Sequence, residues 1–275
     1  MASPSLLPSR PTIRGLAVAA LLALPAAGCL RKGPEVTGSI APGSSDAARQ
    51  VQALGARFEA NPADAEAAMA YARALRASDR HAQAVAVLQQ AAIRSPKHLT
   101  LLAAYGKALA DVGRYKEAAE VLARAHLPEK PDWRILSAQG AVADQLGDHA
   151  RAQGFYEAAL KIAPGEPTVL SNMGLSLALA KRLPEAEKTL RQAAATASAD
   201  ARVRQNLALV LGLQGKFAEA ETVLRRDLAP EEVAANVSAM KSLVAQPNSW
   251  QAIRSAEVKK PVKAKMRAAE AKNAE

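Results

Sequence analysis

The chain has 275 residues, 49% of them apolar but only 3% aromatic, one cysteine, and a formal net charge of +10. The apolar share is enough for a core, the abundance of alanine favours closely packed helices, and a lone cysteine excludes an internal disulfide or a multi-thiolate zinc site. The excess of basic residues brings anionic partners, such as nucleic acid or a membrane surface, into consideration.

At the N-terminus Arg10 and Arg14 precede the apolar run 16–24, and no acidic residue occurs before Glu35. A basic stretch, a short apolar run and then small residues predict a secretory signal sequence over 1–28, its apolar run too short to span a bilayer. The ending Ala26-Ala27-Gly28-Cys29 resembles the bacterial lipobox, in which a peptidase cleaves before a cysteine that carries diacylglycerol. Ala26 stands where that family prefers leucine. The resemblance implies a lipid anchor on Cys29, held stably because more than one acyl chain is attached. With Leu30 following rather than aspartate, it also implies sorting to the outer membrane. The plainer alternative is a secreted protein cleaved nearby, with Cys29 left as a free thiol. Residues 29–45 mix glycine, proline and serine and predict a flexible tether. Helical periodicity starts near Ser45 or Asp46, and Val51, Leu54 and Phe58 share one stripe, which predicts an N-terminal capping helix over 46–62.

From Ala65 onward the chain repeats every 34 residues, in blocks starting at 65, 99, 133, 167 and 201, without insertion. Block position 8 holds Ala72, Gly106, Gly140, Gly174 and Ala208; position 20 holds Ala84, Ala118, Ala152, Ala186 and Ala220. Position 27 holds Ala91, Ala125, Ala159 and Ala193, with Asp227 breaking the rule. Position 15 is glycine in three blocks (Gly113, Gly147, Gly215) and Asp79 or Lys181 in the others. Pro96 and Pro164 at position 32 end a helix.

This pattern is similar to the tetratricopeptide repeat (TPR). The resemblance implies an all-α superhelical solenoid of about five helix-turn-helix units over 65–232, with helix A and helix B of each unit touching where positions 8 and 20 meet. Residues 230–246 place Val233, Val237, Met240 and Val244 on one face and predict a C-terminal capping helix. Residues 247–275 lose the periodicity and turn basic, with seven Lys/Arg against three Asp/Glu from Asn248 onward, which predicts a disordered tail. Such a tail is either simply solvated or touches anionic lipid, peptidoglycan or an acidic partner.

In TPR proteins the inner groove is lined by helix A positions 2, 5, 9, 12 and 13. Here those positions imply a polar and partly basic end at Met69, Arg73, Arg76, Lys107 and Arg134, and an apolar end at Leu175, Leu179, Leu209 and Leu213. The expected ligand is an extended or helical peptide with an apolar anchor and some acidic character. The alternative is that the C-terminal helix covers the four leucines. The carboxylate clamp of chaperone-binding TPRs is not reproduced, because Met69 and Arg73 occupy its positions in the first block.

His81, His98, His126 and His149 form no i, i+4 pair, and no nucleophile elbow, P-loop or dinucleotide fingerprint is present. The expectation is therefore a protein without catalytic residues, metal or cofactor, not an enzyme, and not a nucleic-acid binder. The lipobox, the tether phrase TGSI (37–40), five TPRs and the closing segment 229–250 together resemble the TadD lipoproteins of the tight-adherence (Flp) pilus assembly system. That resemblance implies an outer-membrane lipoprotein facing the periplasm. Its groove would hold a secretin or another pilus component and so assist secretin assembly or localisation. A general envelope scaffold for peptidoglycan or outer-membrane assembly machinery is the alternative.

Overall fold

The structure, a computed structural model, describes residues 42–245; the stretch 1–28 expected as a signal sequence, Cys29 and the basic segment 247–275 lie outside them. Twelve helices follow one another among the described residues. α1 (Pro42–Ala60) leads into five A/B pairs: α2 (Ala65–Ala77) with α3 (His81–Arg94), α4 (Leu99–Asp111) with α5 (Tyr115–Ala123), and α6 (Trp133–Gln145) with α7 (His149–Ile162). The last two pairs are α8 (Pro167–Leu179) with α9 (Leu183–Ala194) and α10 (Ala201–Leu213) with α11 (Phe217–Leu224), and α12 (Pro230–Val244) closes the stack. All of this is an all-α TPR solenoid.

Local signals start and stop these helices in phase with the repeat. The residue just before each A helix caps it: Asp64, His98, Asp132, Glu166 and Asp200 each accept a backbone N–H from the first turn. Each cap satisfies a donor that the helix leaves orphaned, worth about 1 kcal/mol. Between A and B the chain must pass through a left-handed backbone conformation. Gly113, Gly147 and Gly215 adopt it, but so do Asp79 (φ 57°) and Lys181 (φ 64°). The turn is thus the same in all five repeats, and the side chain gives way to it rather than the reverse.

The small residue at position 8 makes room mainly for position 24, not for position 20 as expected from the sequence. A Cβ on Gly106 would lie 2.6 Å from Leu122, and one on Gly174 would lie 2.5 Å from Leu190. The carbonyl oxygen of Ala118, at position 20, is farther from the Gly106 Cβ position at 3.4 Å. Alanine at position 20 is fully buried in every repeat. Asp227, the exception at position 27, falls beyond the short α11 and accepts two hydrogen bonds from Arg204, both 2.6 Å.

Each helix packs on the next in the chain, and each A helix also packs on the A helix of the following repeat; no comparable contact joins successive B helices. The A helices therefore lie closer together and line the concave face. Asn172 and Asn206, at position 6, donate to Ser137 and Ser171 of the preceding A helix at 3.2 and 2.9 Å. They clip neighbouring A helices together. The first helix begins at Pro42 rather than at 46, inside the stretch read as tether, since proline's fixed φ suits a first helical turn. At the other end, Met240 packs on α10: its Sδ lies 2.7 Å from where a Cβ on Gly212 would stand, so α12 seals the last A helix. Val233 and Val237 are buried beside it, while Val244 is partly exposed.

Candidate functional site: a basic concave surface

Two adjoining hollows, each of about 680 Å³, occupy the concave side of the first repeats. One is lined by Met69, Arg73 and Arg76 of α2, Lys107 of α4 and Arg134 of α6. The other shares Arg76, Lys107 and Arg134 and reaches Thr168 and Asn172 of α8 and Arg202 of α10. The five groove residues expected at the N-terminal end thus lie together on one surface. Across both hollows six Lys/Arg side chains face two carboxylates, Asp111 and Asp132. Arg76 is tied to Asp111 at 2.5 Å, an interaction 35 residues apart that also joins α2 to α4.

The crowding of cations shows in Lys107. Burial lowers the pKa of its ammonium, Asp132 pulls it back up, and the charges of Arg76 and Arg134 lower it further. A bound anion would relieve that penalty. Arg134 stands outward with its guanidinium 4.4 Å over the Trp133 ring, so its reach toward the hollow is partly fixed.

Leu175, Leu179, Leu209 and Leu213 are half-buried and line neither hollow. The two hollows thus take in the polar end of the expected groove and not its four leucines. Lys130, Trp133, Leu99 and Ile162 line the first hollow although no groove position names them. Pro128 and Pro131 mark the irregular segment between α5 and α6 that borders this hollow.

Asp144, a groove position by its number in the repeat, turns instead into the seam between repeats. Its carboxylate accepts from His149 Nδ1 at 2.8 Å, Tyr156 Oη at 3.0 Å and Ser176 Oγ at 2.7 Å. His149 is thereby a structural residue, and His98 a helix cap. Among the described residues no three His, Cys, Asp or Glu side chains gather as metal ligands, and no helix is long and apolar enough to cross a membrane.

Tetratricopeptide-repeat family models match residues 103–167 and 145–208, and a model described as anaphase-promoting complex, cyclosome, subunit 3 matches 50–125. No curated protein sequence matches the chain. Among solved structures, PilW, titled a widely conserved type IV pilus biogenesis factor, is similar at 17% identity and TM-score 0.57, covering 67% of this chain and 87% of its own. Pseudomonas aeruginosa pilF is similar at 20% identity and TM-score 0.52, over 78% and 91%. The Cut9-Hcn1 structure of the APC/C reaches TM-score 0.59 at 13% identity, over 73% of this chain and 39% of that one. At such identities the likeness is one of fold. Family matches over 103–208, an unbroken 34-residue period and in-phase caps and turns together give this chain the tetratricopeptide-repeat fold.

Proposed function

We propose that the chain is a lipid-anchored adaptor of the bacterial cell envelope. In this reading Cys29 carries the anchor in the outer membrane, and the repeats face the periplasm. There they hold an acidic segment of a pilus-assembly partner, the secretin or a component that escorts it. The observation that carries the binding part is the concave strip of Arg73, Arg76, Lys107, Arg134 and Arg202, drawn from four A helices. A surface of one charge sign selects an opposite partner and speeds its approach. The envelope and pilus parts rest on the lipobox-like Ala26–Cys29, the tether and the closing segment. The fold-level likeness to PilW and pilF is in keeping with them.

The test is affinity capture from detergent-solubilised envelopes with a C-terminally tagged chain, beside a Lys107→Glu/Arg134→Glu variant and a Cys29→Ser variant. The proposal expects a secretin or pilus component with the wild type, its loss with the charge-reversed variant, and release of Cys29→Ser from the membrane fraction. Recovery of peptidoglycan or outer-membrane assembly proteins alone, with no pilus component, would replace it with the general scaffold.

A further inference from the structure

Helix B of the second repeat is cut short. α5 has 9 residues where the B helices of the neighbouring repeats, α3 and α7, each have 14; of the others α9 has 12 and the last, α11, has 8. Proline cannot donate to the helix ladder and disfavours helical backbone in the residue before it, so Pro128 and Pro131 bar a helix from running through 127–131, the stretch that follows the end of α5 at Ala123. The chain instead makes a tight turn in which Leu127 bridges Lys130. The first hollow opens beside this segment, bordered by Ala125, His126 and Pro131. Its apolar wall is Met69, Leu99, Trp133 and Ile162, and its rim is Arg73, Lys107 and Arg134. Ile162 is 43% exposed, a large aliphatic side chain left facing this space.

We propose that this hollow seats an aromatic side chain of the acidic protein segment, with the flanking carboxylates on Lys107 and Arg134. The inference rests on reading the concave face as a protein-binding surface. It moves the apolar anchor from the four C-terminal leucines to the hollow beside the segment after α5. Charge decides the occupant. The chain's own tail carries seven Lys/Arg against three Asp/Glu from Asn248 onward, and the cationic rim repels it. An acidic partner meets the rim favourably and buries apolar surface against Trp133 and Ile162, the arrangement in which one well-packed aromatic dominates binding.

The experiment is fluorescence anisotropy with the full-length chain in detergent and three labelled short peptides. One is Glu/Asp-rich with a single central phenylalanine, the second has alanine there, and the third has lysine for every acid. The phenylalanine peptide binds, the alanine peptide binds about tenfold more weakly, and the lysine peptide does not bind. Trp133→Ala weakens the phenylalanine peptide by about tenfold. Ile162→Ser does the same, and because Ile162 is exposed this variant keeps the fold, as circular dichroism checks. Leu175→Glu/Leu209→Glu leaves binding within about twofold. Equal binding of the phenylalanine and alanine peptides, no binding of either, or indifference to both Trp133→Ala and Ile162→Ser overturns the inference. Peptide binding of the expected pattern without pilus components in envelope capture would leave the inference standing and remove the pilus reading. Capture of a pilus component that survives Trp133→Ala and Ile162→Ser would do the opposite.

Discussion

Asp144→Ala is the substitution that bears most directly on how repeats 3 and 4 are joined. Its carboxylate takes three donors, from His149, Tyr156 and Ser176, and Ser176 is fully buried on the next A helix. Leaving the Ser176 hydroxyl without a partner costs about 1–3 kcal/mol, reduced where the hydroxyl turns back to its own helix carbonyl. Tyr156 keeps a further interaction, so its loss is nearer the ordinary net value of a hydrogen bond, about 1 kcal/mol. His149 is partly solvated, with its side chain 21% exposed, and adds little. The sum is roughly 2–4 kcal/mol, which for a domain of this size lowers Tm by roughly 5–15 °C. Thermal unfolding followed by circular dichroism measures the drop, and amide exchange in α6–α8 locates it. Adding Ser176→Ala to Asp144→Ala should restore part of the loss, because the buried donor goes with its acceptor. A Tm within about 1 °C of wild type, or strictly additive single losses, would refute the role given to this carboxylate.

Three other outcomes follow from the packing. Lys181 is held at φ 64°, so Lys181→Gly relieves left-handed strain and, after glycine's entropic cost, gains about 0.5–1 kcal/mol in urea unfolding; a loss of stability would contradict it. Gln139 is 7% exposed, and its Oε1 finds no hydrogen-bond partner among the described residues. Position 7 is Tyr71, Tyr105, Met173 or Leu207 in the other repeats, so Gln139→Met should gain about 1–2 kcal/mol by the same measurement. Burial acts to raise the Glu187 carboxyl, but hydrogen bonds from Lys216, Gln214 and Arg191 outweigh it and hold the pKa down to about 2. A depressed folded pKa gives stability that is present above the ordinary value of 4.5 and is lost as pH falls toward 2. The stability gap between wild type and Glu187→Gln should therefore shrink across that window, and a gap constant with pH would count against the network.

Much of the architecture is readable in the sequence because it is periodic. Small residues at positions 8, 20 and 27 recur at a period of 34 and can be counted without knowing what they touch. The caps at 64, 98, 132, 166 and 200 are equally legible, since an oxygen or ring-nitrogen acceptor one residue before a helix acts locally. Met69, Arg73, Arg76, Lys107 and Arg134 are within reach because the resemblance to TPRs implies which helix A positions face inward, and the structure brings them to one hollow.

Phase does not decide where a side chain ends up. Asp144 has a groove position, yet partners on α7 and on α8, 32 residues away, draw it into the seam. Leu175 and Leu209 share position 9 with Arg73 and Lys107, but the stacking of repeats 4 and 5 leaves them half-buried and outside both hollows. The hollow beside Trp133 is walled by residues of α2, α4, α6 and α7 together with the segment after α5. Spacing within a repeat is thus enough to establish the period and the helices, and the resemblance that the period carries implies the inner face. Which inner residues meet, and where space is left open, depends on burial and hydrogen bonding between groups brought together from different repeats, and those exist only once the repeats are stacked.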